Sequence, residues 1–211
     1  MRSDRGLDRF ITFLDAVVAI ALTLLVLPLT EAIGGEHPPS SVGEIFTQNG
    51  ARFSAFLISF VVIARLWLGH HRMSERVGGY DTLFVVVNLG WALTVVFLPF
   101  ATQLTAAFPA DDRLAVGIYL GTLALSSVFL LVAAALVWPR PALRRDGVSV
   151  ADAAPFAAAT TTGMLLVALV LGVAFPRVNY FGLLLLLASA PVERLLRRLA
   201  TGSQPVHRTR A

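Results

Sequence analysis

Six apolar runs follow one another along the chain, at roughly 10–29, 51–69, 82–105, 114–138, 153–174 and 178–199, with short polar stretches between them. Each reaches or approaches the ~20 apolar residues that cross a bilayer as an α-helix. The pattern predicts an all-α integral membrane protein with six transmembrane helices in a single repeat. Residues 1–199 read as one membrane unit, and 200–211, TGSQPVHRTRA, as a disordered polar tail. No second copy of the first run appears later in the chain.

Composition agrees. Of 211 residues, 56% are hydrophobic and only 14% charged, and the mean hydropathy is +0.75. A soluble domain carries much more charge. The first run is too long for the core of a secretion signal, and no small-residue cleavage site follows it. Without cysteine, disulfides, thiolate metal sites and cysteine nucleophiles are excluded.

The net charge of +4 would suggest nucleic acid in a soluble protein, but the placement of the basic residues says otherwise. All 17 are arginine. The N-terminus, the second loop HHRMSERVGGYD, the fourth loop PRPALRRDGVSVAD, the span ends beside them and the tail hold 14 of the 17. The other side holds Arg52, Arg113 and Arg177, and its first loop, EAIGGEHPPSSVGEIFTQNG, has three glutamates and no Lys or Arg. The positive-inside rule then predicts both termini in the cytoplasm, and an even number of spans agrees. The expected partner is the lipid bilayer of a cell membrane, with no nucleic acid, cofactor or metal site.

The first run, RFITFLDAVVAIALTLLVLPL from Arg9, carries an aspartate near its start and one threonine within it. At 100° per residue, Phe13, Ile20, Leu24 and Leu27 share a stripe with Thr23 beside it. Asp15, Ala19, Leu22 and Val26 form another. Both can be packing faces, and small residues such as Ala16, Ala19 and Ala21 suit close helix contact. Asp15 has two readings. It can be an acidic residue favoured by the helix dipole near an N-terminus. Or it can face a partner on another span, as ionisable groups in membranes do. Candidates at the same depth are Arg65, Trp67, His70 and His71 at the end of the second run. A cluster of this kind, with Arg9 nearby, would hold the first helix in a fixed rotation. His70 and His71 point about 100° apart on a helix, which is poor spacing for one metal ion.

The motif Arg9-x-x-x-Phe13-Leu14-Asp15, with Ile20 and Thr23 five and eight residues past the aspartate, resembles the signature of the transmembrane protein 175 family. So does a second block: Trp67-x-x-His70-His71-Arg72, then Asp81, Asn88-Leu89 and Leu98-Pro99-Phe100. The resemblance covers the first half of the chain; the second half matches in span count and in Asn179. Two positions depart from the family pattern. The signature serine is Leu14, which removes a hydroxyl from the network around the aspartate, and Pro28 stands where many prokaryotic members carry an acidic residue.

The resemblance implies a potassium-permeable channel of the prokaryotic plasma membrane. It implies a homotetramer in which the first helix of each subunit lines a central pore, so Ile20, Thr23, Leu24 and Leu27 are the expected pore-lining and gate residues, with K⁺ as the permeant ion. No TVGYG-like filter is present, and aliphatic rings can close a pore by dewetting. Thr23 can offer its hydroxyl to the pore or bond its own helix backbone. The structural polar network would comprise Arg9, Asp15, Trp67, His70 and His71. The rival readings are a secondary transporter and a non-conducting membrane bundle. No HExxH or GxSxG motif is present, so an enzyme is not expected.

Overall fold

The computed structural model describes residues 4–31, 40–153 and 155–175. The predicted sixth span, the tail, Asn179 and part of the first loop lie outside them. The described chain is all helix apart from turns: α1 (Asp4–Leu24), α2 (Leu27–Glu31), α3 (Val42–Gln48), α4 (Gly50–Ser74), α5 (Thr82–Ala107), α6 (Arg113–Val137), α7 (Val150–Ala153) and α8 (Phe156–Ala174), with one 3₁₀ turn at Pro141–Leu143. Five stretches are long and apolar enough to cross a membrane: Arg5–Glu31, Gly50–Ser74, Thr82–Ala107, Arg113–Val137 and Phe156–Ala174.

Helix ends follow local chemistry. Asp81 opens α5, its carboxylate accepting the backbone N–H of Phe84 at 2.8 Å. Asp112 opens α6 by accepting the N–H groups of Leu114 and Ala115, both at 2.9 Å. These satisfy donors that no helical carbonyl can reach. The short helix α3 was not expected. Its signal is Ser41-x-x-Glu44, a capping-box spacing. The Ser41 hydroxyl accepts Glu44 N–H at 3.2 Å, and the Glu44 carboxylate reaches back to the Ser40 N–H at 2.7 Å.

The first span differs most from expectation. It begins at Asp4 rather than near residue 10, and it is broken between Leu24 and Leu27. Pro28 explains the break: proline has no N–H, and its ring collides with the carbonyl four residues back, that of Leu24. The chain tightens there, with Val26 N–H bonding Thr23 C=O at 3.2 Å.

α5 and α6 form the centre of the bundle, α8 packs on α6, and α1 and α4 pack on α5. The core takes Leu14, Val18 and Ala21 from α1 and Leu25 just past its end, a stripe lying between the two read from the sequence. Leu14 is 1% exposed; where the family serine would offer a hydroxyl, this chain has a core residue. Between lipid-embedded helices the gain comes from close packing rather than from leaving water. Hydroxyls add specificity in the half away from the arginine-rich end. Ser59 Oγ lies 3.0 Å from Tyr119 Oη, and Thr102 Oγ1 donates to Ser59 Oγ at 2.9 Å, joining α4, α5 and α6.

At the arginine-rich end, the α4–α5 and α6–α7 loops are clasped together. Val77 and Arg144 form an antiparallel bridge, Gly78 N–H bonds Leu143 C=O at 3.0 Å, and Arg145 N–H bonds Arg76 C=O at 2.9 Å. Glycine is required here by closeness. A Cβ at Gly78 would lie 2.7 Å from Arg145 Cα, and one at Gly79 2.6 Å from the Ala142 carbonyl oxygen.

Candidate functional site

Asp15 lies about three turns into α1, beyond the first turn where a helix dipole acts. The dipole reading therefore fails, and a partner on another helix takes its place. The indole N–H of Trp67, on α4, donates to Asp15 Oδ1 at 2.9 Å in a part-buried setting. Trp67 also stacks on His71, one turn later on the same helix, with ring centroids 5.4 Å apart. His71 in turn lies 3.8 Å from the Glu75 carboxylate.

His70 faces the other way, into the bundle. It is 1% exposed and lies flat on Trp91 of α5, with centroids 4.1 Å apart and planes 4° from parallel. Its Nε2 pairs with Asn88 Oδ1 at 3.0 Å. The Asn88 amide NH₂ donates to its own helix at Phe84 C=O, 2.8 Å. Asn88 therefore presents its oxygen to His70, and Nε2 must carry the proton. His70 Nδ1 is buried without a hydrogen-bond partner among the described residues. In this tautomer it is the bare ring nitrogen.

Three neighbouring α4 side chains thus reach two different helices: Trp67 and, behind it, His71 serve α1, while His70 serves α5. Arg9 is exposed and makes no hydrogen bond or ion pair among the described residues. The sequence motif includes Asn88 but not Trp91, the aromatic partner of His70. The cue for joining them was the Asn88-x-x-Trp91 spacing, which puts both on one face of α5.

Ile20, Leu24 and Phe13 are all exposed on α1, at 59%, 43% and 52%. Thr23 is exposed beside them, its hydroxyl donating to Ile20 C=O at 2.7 Å. Leu27 is also exposed, but it sits on α2, past the break, so it does not continue the α1 helical stripe rigidly. The exposed stripe lies away from the buried one, and the Trp67–Asp15 bond ties α1 to α4. Among the described residues no cluster of His, Asp or Glu is arranged to hold a metal ion.

Residues 9–99 match the family model described as the endosomal/lysosomal potassium channel TMEM175. They cover the first motif, the second as far as Pro99, and the whole Asp15–Trp67 and His70–Asn88 junction. Over these residues the chain is similar to the TMEM175 family. A TMEM175 homologue from Chamaesiphon minutus, titled a lysosomal potassium-selective channel homologue, superposes with a TM-score of 0.71 at 26% identity, over 90% of this chain and 98% of that one. A potassium channel from Chamaesiphon minutus is 34% identical over 128 residues, 57% of this chain and 61% of its own length. The human endosomal/lysosomal proton channel TMEM175 is 29% identical over 104 residues, 48% of this chain. The chain spans only 20% of that human relative. The TMEM175 family is one of channels, not enzymes.

Proposed function

We propose that this chain is a subunit of a potassium-permeable cation channel in the cell membrane, with both termini in the cytoplasm. Four copies surround a central axis, and α1 of each lines the pore. The observation that carries the reading is the α1 stripe of Ile20, Thr23 and Leu24. It is exposed in the single subunit, while the opposite face of α1 is packed and Asp15 ties the helix to α4. A closed ring of identical helices is a normal way to cover such a face.

Ile20 forms the narrow ring and Leu24 a second one. Neither offers a ligand to a bare ion, so the closed state excludes water, and with it the ion. The Thr23 hydroxyl hydrogen is engaged with Ile20 C=O, so only its oxygen lone pairs face the axis, and those suit a cation. Leu27, on the separately hinged α2, lines the outer mouth. A second reading, proton permeation, is favoured by the similarity to the human proton channel.

The test is flux through purified protein in liposomes under a K⁺ gradient, with a pH-sensitive dye in a parallel arm, comparing wild type with Ile20→Asn. Potassium flux that rises in Ile20→Asn supports the gate. Flux of protons alone moves the reading to the second one. Absence of either flux with both inserted proteins refutes the channel.

A further inference from the structure

Between α4 and α8, over the end of α6 on the arginine-rich side, lies a groove of about 180 Å³. Leu130 and Ala134 of α6 line its floor, Ala158 of α8 one wall, and Arg65, Arg72 and Arg76 the other. Small residues make the space. At Gly69, between the arginines, the nearest group to an added Cβ would be a Leu130 methyl at 3.8 Å. The arginine placement is not random. Arg65 and Arg72 are seven residues apart, two turns on one helix face, and about 10 Å apart along the axis. Arg76 follows the end of α4, where its carbonyl is held by Arg145 N–H at 2.9 Å in the loop clasp. Among the described residues lining the groove there is no aspartate or glutamate.

This is a surface with two chemistries. Guanidinium forks match the oxygens of a phosphate. The floor beside them is aliphatic and belongs to membrane-spanning helices. A soluble anion has no use for such a floor, whereas a lipid has both an anionic head and a chain. We propose that the groove binds an anionic phospholipid from the leaflet on the arginine-rich side. Its phosphate rests on Arg72 and Arg76, and an acyl chain lies against Leu130, Ala134 and Ala158. Basic pockets between helices on the cytoplasmic side are a known physical basis for such recognition.

The test is native mass spectrometry of the purified full-length protein, titrated with phosphatidylglycerol or with phosphatidylcholine. Each arginine near an anionic headgroup strengthens binding by about fivefold. The Arg72→Gln/Arg76→Gln pair is therefore expected to weaken phosphatidylglycerol binding by roughly thirtyfold, toward the phosphatidylcholine level. Arg72 is exposed, so the single Arg72→Gln variant keeps its packing and reads about fivefold even where the pair is poorly folded. Ala158→Leu keeps every charge and fills the groove; it too is expected to lose the lipid. Equal binding of the two lipids, or phosphatidylglycerol binding unchanged in Arg72→Gln and Ala158→Leu, overturns the proposal. Displacement of the bound lipid by millimolar inorganic phosphate also overturns it, in favour of a soluble anion. The readout is binding, so it stands apart from whether the protein conducts ions.

Discussion

Replacing Asn88 by leucine removes the one hydrogen-bond partner that His70 has among the described residues. Asn88 is fully buried, and its oxygen holds His70 Nε2 at 3.0 Å. Nδ1 of the same ring is already without a partner among the described residues. In Asn88→Leu both ring nitrogens are left in the bundle core, and stranding a buried donor costs about 1–3 kcal/mol. Interhelical hydrogen bonds in membrane proteins average nearer ~0.6 kcal/mol net, because the unfolded chain in the bilayer also finds partners. The two figures describe different experiments. The single variant strands a group and should lose about 1–3 kcal/mol. The double variant His70→Phe/Asn88→Leu strands nothing and keeps an aromatic ring flat on Trp91, so it should recover most of that loss. Reversible unfolding of the purified protein in mixed detergent and SDS micelles gives both values and the coupling between them. If Asn88→Leu matches wild type within about 0.3 kcal/mol, the usual error of additivity, then the His70–Asn88 bond does not hold α4 to α5 and the argument fails.

Three further outcomes are expected. Asp81→Ala loses the α5 cap and the 3.0 Å ion pair with Arg140; the cap dominates at ~1 kcal/mol, since the pair is partly exposed and adds little. A Tm equal to wild type would count against the cap. Gly78→Ala pushes a methyl into the Arg145 backbone and should destabilise by about 1–3 kcal/mol, with hydrogen exchange at Arg145 N–H accelerating first; unchanged exchange there would show that the clasp tolerates the methyl. Hydrogen bonds from the Ser40 side chain and backbone hold the Glu44 carboxyl below its ordinary value. A lowered folded-state value means that the cap of α3 is stabilised above the unfolded-state value and loses that contribution as pH falls through the folded-state one. Protection of the α3 amides, corrected for the intrinsic pH dependence of exchange, should therefore fall as pH drops through and below the normal glutamate range, and in Glu44→Gln that fall should be absent.

Much of this fold was legible because a bilayer makes simple demands. An apolar run must be helical to satisfy its own backbone, so five described spans fell close to where hydropathy put them. Boundaries moved where polar residues extend a helix out of the membrane, as at His70–Ser74 of α4 and Asp4–Arg9 of α1. The break at Leu25–Val26 was foreseeable from Pro28 alone, yet hydropathy passes over it because proline changes geometry without changing polarity. The polar junction was legible only in part. Asp15 with Trp67 follows from depth and scarcity of partners, but the outward reach of His71 and the inward reach of His70 depend on where α1 and α5 sit around α4. The core stripe of Leu14, Val18, Ala21 and Leu25 was masked for a different reason: in a lipid-embedded helix both faces are apolar, so periodicity cannot say which one meets protein.

The loop clasp reverses a familiar engineering rule. Surface loops usually accept inserted residues, since lengthening a flexible loop costs little. Here the bonds from Gly78 to Leu143 and from Arg145 to Arg76 run backbone to backbone, so the two loops are matched in register rather than merely close. Side chains take no part in these bonds, although Gly78 and Gly79 have no room for one, and an added residue in either loop would slide every bond by one place. An affinity tag or a fluorescent domain inserted at 76–79 or 142–145 would unzip the end of the bundle, while the same insertion between Phe108 and Pro109, past the end of α5 on the far side, falls in an exposed turn.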